Sequence, residues 1–127
     1  MASGFPGTQI VINHAGMPSD RSEEGMRAWR SALAGMAAHP NVAIKISGIG
    51  EPGGRWRLEA NRRVVLEVID LFGVERCMFG SNYPVDSLCL PYREIFEAFA
   101  GFVAGFSERE RGALFVENAR RVYRIAG

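Results

Sequence analysis

The sequence predicts an α/β protein built on parallel strands, and three observations predict it. Three short apolar runs recur along the chain, each stops at a cluster of turn formers, and the segments between them carry helical periodicity. Strand, helix, strand, helix, strand, helix is the pattern of right-handed crossovers between parallel neighbours.

The first run is Gln9-Ile10-Val11-Ile12-Asn13, ending at His14-Ala15-Gly16. The second is Asn41-Val42-Ala43-Ile44-Lys45-Ile46, ending at Ser47-Gly48, and the third is Cys77-Met78-Phe79, ending at Gly80-Ser81-Asn82-Tyr83-Pro84. Nearly continuous hydrophobicity is the mark of strands buried on both faces. Lys45 interrupts the second run, so its position faces a polar site, a barrel interior or an exposed edge.

Between the runs, Ser22 can cap a helix whose first turn carries Glu23 and Glu24 and whose apolar face is Met26, Trp29, Leu33 and Met36 or Ala37. His39-Pro40 ends it. A second helix from about Glu59 to Phe72 buries Val64, Val65, Val68, Ile69 and Phe72, with Gly73 as its stop. A third begins near Pro91 and repeats Ile95, Phe96, Phe99, Phe102 and Val103. Ser107 with Glu110 forms a capping box that opens a fourth helix through Leu114 and Phe115, and Asn118 to Ile125 continues or restarts it.

The 127 residues suit one domain, with no linker, repeat or low-complexity tract inside. Three such strands are a slice of a larger (β/α) structure or a small open sheet; a full (β/α)8 barrel takes about 250 residues, so this chain is about half of one. Apolar residues at 47% and charged residues at 23% exclude disorder and a disulfide-stapled miniprotein. A net charge of +1 gives no field favouring nucleic acid or acidic membranes. No run approaches the roughly 18 apolar residues of a membrane span. Cys77 and Cys89 read as reduced thiols, and the expected location is the cytoplasm.

Chemistry in α/β sheets and barrels sits at the C-terminal ends of strands. Here those ends carry Asn13-His14, Ser47-Gly48 with the following Gly50–Arg57 loop, and Ser81-Asn82 with Asp86. A His after a strand is also a common turn or capping residue, and Asn or Asp in such loops often caps the next helix. Neither G-x-G-x-x-G nor G-x-x-x-x-G-K-[ST] occurs, and no Cys or His cluster has zinc spacing. Phe79-Gly80-Ser81-Asn82-Tyr83 lacks the second glycine of a nucleophile elbow.

Four segments in order resemble those of the amidohydrolase-2 family, the TIM-barrel hydrolases. Ile10-Val11-Ile12-Asn13-His14-Ala15-Gly16-Met17-Pro18 is similar to its "(V/I)-(I/V)-(D/N)-H-x-G-x-P" segment, and His39 to Gly48 is similar to "HPNVxxKxSG". Arg76 to Pro84 resembles the last-strand "R-x-(M/L)-(F/W)-G-S-(D/N)-(F/W/Y)-P", and Glu117 to Tyr123 resembles the closing "x-N-A-x-R-x-Y" helix. The branch resembled contains sugar-lactone and 2-pyrone-4,6-dicarboxylate lactonases.

The resemblance implies that residues 1–127 are the C-terminal part of a (β/α)8 barrel, its last three β/α units, hydrolysing a lactone in the full-length protein. It makes His14 an active-site residue and puts Asn82 where the family has an acid that serves as base for the attacking water. Asn is a neutral amide and takes no proton at pH 7; Asp86, four residues on, is the substitute. Ser47 and an arginine of the loop, Arg55 or Arg57, would bind a carboxylated or sugar lactone, since a guanidinium forks onto a carboxylate. The family's first-strand H-x-H pair is unmatched, because the chain has only His14 and His39. A divalent metal, Zn or Mn, is then expected only for the full-length family, with His14 and Asn82 the only matching positions. The alternatives are a non-oxidative decarboxylase on the same barrel, or an inactive truncated or assembly fragment. Self-association or a missing N-terminal half would complete the barrel.

Overall fold

The computed structural model describes residues 4, 7–50, 56–83, 85 and 89–124. Three strands, β1 (Ile10–Ile12), β2 (Val42–Ile46) and β3 (Cys77–Phe79), form one sheet in the order β1-β2-β3. Both pairings are parallel, Ile12 lying opposite Ile44 and Ile46 opposite Phe79. The expected topology is therefore present among the described residues.

Side chains alternate across a strand. Ile10 and Ile12, Val42, Ile44 and Ile46, and Cys77 and Phe79 join one hydrophobic core with the helices. Alternation assigns Val11, Ala43, Lys45, Ser47, Met78 and Gly80 to the opposite face. That resolves the oddity of Lys45: it is half-buried on the face turned away from the helices.

Helix α1 (Glu23–Ala37) starts where the Ser22 hydroxyl accepts from the Gly25 amide, and it buries Met26, Trp29 and Leu33. Helix α2 (Leu58–Phe72) buries the expected valines and isoleucine, and Gly73 closes it at φ +80°. In helix α3 (Tyr92–Phe102) Pro91 is the capping residue rather than the first helical one. Phe99 of α3 stacks on Phe79 of β3 with ring centroids 4.4 Å apart. The capping box of Ser107 and Glu110 opens α4 (Glu108–Gly112). A wide π turn, Ala113–Glu117, then leads into α5 (Asn118–Val122), so the last segment continues as helix. Tyr123 leaves the helix and Ile125 lies outside the described residues.

Two side chains fasten the N-terminal ends of the strands. The Arg76 guanidinium donates to the carbonyls of Phe72, His39, Val42 and Ala37, joining the approaches to β2 and β3. The buried Asn118 amide donates to Val74 and Cys77 carbonyls at 2.6 and 2.7 Å. The closing N-A-x-R-x-Y segment thus acts at the end opposite the candidate site, and Arg121 adds a hydrogen bond to the Glu75 carbonyl.

Candidate active site

The C-terminal ends of all three strands pass through left-handed backbone. After β1, His14, Ala15, Gly16 and Met17 have φ of +54°, +53°, +71° and +56°. They make a left-handed turn closed by Gly16 N–H to Asn13 O and Met17 N–H to His14 O. After β2, Gly48 has φ +61°, and after β3, Asn82 has φ +56°. Each non-glycine residue held so costs on the order of 1–2 kcal/mol, and such strain persists only where the surroundings fix it.

The surroundings do fix it. The buried indole of Trp29 donates to the Ala15 carbonyl at 2.8 Å. Arg21 donates to the Pro18 carbonyl after β1, to the Ile49 carbonyl after β2 at 2.9 Å, and to Asn61 Oδ1 of α2 at 3.0 Å. Asn61 is fully buried. One guanidinium therefore ties two strand-end loops to a helix.

Within this frame His14 Nδ1 lies 3.0 Å from Ser47 Oγ. Ser47 is fully buried and His14 half-buried. Gly48 is the reason they can approach: a Cβ there would sit 2.7 Å from His14 Nδ1 and 3.1 Å from Asn82 Nδ2. Three sequence-predicted site residues, His14, Ser47 and Asn82, thus meet around one glycine. Arg57 stands exposed at the capping position of α2, while Arg55 and Asp86 lie outside the described residues.

The pair can exist in two tautomers. With Nδ1–H donating to Ser47 Oγ, His14 Nε2 keeps a free lone pair and can take a proton. With the Ser47 hydroxyl donating to Nδ1, Nε2–H becomes a donor able to polarise a carbonyl. The Asn82 carboxamide can donate or accept a hydrogen bond but has no proton-accepting role. Among the described residues no three His, Cys, Asp or Glu side chains gather to hold a metal ion, so these residues do not constitute a metal centre. No helix among them is long and apolar enough to cross a membrane.

Sequence reasoning missed Gly48 and Arg21 as members of the arrangement. Gly48 had a signal, a glycine directly after a strand. Arg21 had none, because two of its three acceptors, Ile49 and Asn61, come from distant segments.

A family model described as Amidohydrolase matches residues 1–125. The uncharacterized protein y4mH of Sinorhizobium fredii is 46% identical over 98% of this chain and 42% of its own length. L-fucono-1,5-lactonase of Burkholderia multivorans is 35% identical over 91% of this chain and 43% of its own length. The chain thus spans less than half of the curated relatives it matches. Two crystal structures of an amidohydrolase from Burkholderia multivorans, one with bound HEPES and one with bound Zn, superpose with TM-scores of 0.89 and 0.88. Each is 30% identical, covering 98% of this chain and 49% or 48% of the larger one.

Proposed function

The chain belongs to the amidohydrolase family, and from that premise we propose that it carries part of the active site of a lactone hydrolase. Residues 1–127 are read as the C-terminal part of one (β/α)8 barrel domain, with β1, β2 and β3 opening its last three β/α units. The parallel order and the coverage of less than half of each relative support this placement. The similarity to an L-fucono-1,5-lactonase supports a sugar or carboxylated lactone as substrate.

One observation carries the reading: the His14–Ser47 pair and Asn82 converge around Gly48 at one end of the sheet. Lactone hydrolysis adds a water oxygen to the acyl carbon and breaks the ring C–O bond. The ring oxygen leaves as a hydroxyl, and the acyl group becomes a carboxylate with release of one proton. His14 polarises the carbonyl through Nε2–H or accepts the water proton, depending on the tautomer its bond to Ser47 selects. Asn82 orients the water through its amide, with Asp86 as the carboxylate that accepts a proton, and Arg55 or Arg57 holds a substrate carboxylate. A divalent metal such as the Zn bound by an amidohydrolase of B. multivorans would need ligands beyond the described residues.

The test fuses this chain behind the segment of the B. multivorans L-fucono-1,5-lactonase that precedes its matched region, and assays sugar lactones with a pH indicator. Turnover by the fusion, lost in His14→Ala with folding retained, is the expected result. A folded fusion that hydrolyses no lactone overturns the reading.

A further inference from the structure

We propose that Lys45 is the anion-binding group of this site, its ammonium receiving the carboxylate or developing acyl oxyanion of the ligand; this deepens the hydrolase reading and rests on it. The sequence holds a single lysine against fourteen arginines. Where this chain pairs a cation with a carboxylate at its surface it uses arginine, as in Arg30–Asp70, Arg93–Glu97 and Arg109–Glu75. The one lysine stands instead on the central strand, between Ile44 and Ile46, which are both fully buried.

The geometry says where its ammonium goes. A Cβ on Gly80 would meet Lys45 Cε at 2.7 Å, Cγ at 3.6 Å and Ser47 Cβ at 3.2 Å. The lysine stem therefore crosses β3 over the bare backbone of Gly80, one residue past the strand end. Its far end is the closer to that point, so the stem runs toward the C-terminal ends of the strands, beside Ser47. Ser47 in turn bonds His14. Gly80 and Gly48 make complementary gaps: one admits the lysine, the other the imidazole and carboxamide.

Among the described residues no carboxylate pairs with Lys45. Partly removing a cation from water is costly, and pairing with a carboxylate is the usual way to offset that cost. One left without a partner at a strand end is set to receive a negative ligand atom. A compact ammonium with three donors on a flexible stem suits this gap, where the wider planar guanidinium used elsewhere in the chain would not follow the Gly80 channel. Lactone hydrolysis converts a neutral ester into an oxyanion and then a carboxylate, so a fixed cation there favours both later states over the substrate.

The experiment exploits the single lysine. The purified chain has two primary amines, Lys45 and the α-amino group, so acetylation by a water-soluble active ester, read by peptide mass spectrometry, carries its own internal reference. L-fuconate, and separately benzoate, are compared with sodium chloride at equal ionic strength. L-fuconate is expected to slow acetylation of Lys45 several-fold while leaving the α-amino rate unchanged. In parallel, L-fuconate binding followed by the His14 imidazole resonances is expected to weaken about tenfold or more in Lys45→Met, with no recovery in Lys45→Arg. Equal Lys45 acetylation with and without either carboxylate, or unchanged affinity in a folded Lys45→Met, overturns the proposal. Protection by benzoate and none by L-fuconate keeps Lys45 as the anion group and sinks the sugar-lactone reading instead. If Lys45→Met does not fold, protection of the unsubstituted chain decides alone.

Discussion

Gly48→Ala is the substitution in which backbone and site geometry can be separated. The added methyl would sit 2.7 Å from His14 Nδ1, 2.9 Å from His14 Cγ and 3.1 Å from Asn82 Nδ2, on a backbone with φ +61°. Left-handed alanine costs roughly 1–2 kcal/mol, offset by about 0.4–1 kcal/mol from a stiffer unfolded chain. Crowding a packed imidazole adds on the order of 1–3 kcal/mol. The sum is about 2–4 kcal/mol, a drop of roughly 6–20 °C in Tm for a chain of this size. In the His14→Ala background the imidazole clash vanishes and the backbone cost remains. A double-mutant cycle by urea denaturation should therefore return a coupling of about 1–2 kcal/mol between positions 14 and 48. Gly73→Ala is the control: its φ is +80° but nothing lies within 4 Å of the added Cβ. It should add to His14→Ala within about 0.5 kcal/mol. A coupling at Gly48 no larger than that of Gly73 would show that His14 does not rest against the loop after β2.

Other outcomes follow from single groups. Arg21→Ala strands the Ile49 carbonyl and Asn61 Oδ1 and should cost about 2–4 kcal/mol, with the His14 resonances shifting in NMR spectra; Arg76→Ala should cost a similar amount and leave those resonances in place. Burial pushes the Cys77 thiol up to about 12, with the adjacent Arg76 charge opposing the rise. The unfolded thiol ionises first, so the stabilisation is whole below about pH 8.5 and falls as pH rises toward 12, because the folded chain holds the extra proton. The loss of urea midpoint between pH 8 and 10.5 should accordingly be smaller in Cys77→Ala, and an equal loss would refute the assignment. Asn82→Asp restores a carboxylate beside His14 yet should give the isolated chain no measurable sugar-lactone turnover, since the chain spans less than half the length of the lactonase it resembles.

The fold was legible because each element carries its own local signal. Apolar runs ended by turn formers gave β1 to β3, Ser22 and the Ser107–Glu110 box gave two helix starts, and Gly73 gave a stop. The wide turn at Ala113–Glu117 was not legible, since Ala-Leu-Phe-Val-Glu reads as ordinary helix and its register is set by packing on β3. The site was half legible. His14, Ser47 and Asn82 follow from the rule that strand ends bear chemistry. Their contact depends on Gly48, and the orientation of Lys45 depends on Gly80, and both dependences are pairings between segments over thirty residues apart.

Those pairings also explain how one small sheet sustains a concentration of strained backbone at the C-terminal ends of its strands. At the N-terminal ends of the strands Arg76 and Asn118 satisfy backbone carbonyls, and the positive-φ residues outside the C-terminal ends are Gly73, after α2, and Arg124, after α5. At the C-terminal ends His14, Ala15, Met17 and Asn82 are all left-handed. Four such residues store on the order of 4–8 kcal/mol, which is comparable to the whole stability of a typical domain. That strain is offset by groups packed around the turn, namely the Trp29 indole on Ala15, the Arg21 fork on two loops, and Ala15 itself at zero exposure. What the strained turn achieves is to bring an imidazole back over the end of the neighbouring strand, within 3.0 Å of a buried hydroxyl. The strain thus supports the proposal that the chemistry sits at this end of the sheet, independently of any family resemblance.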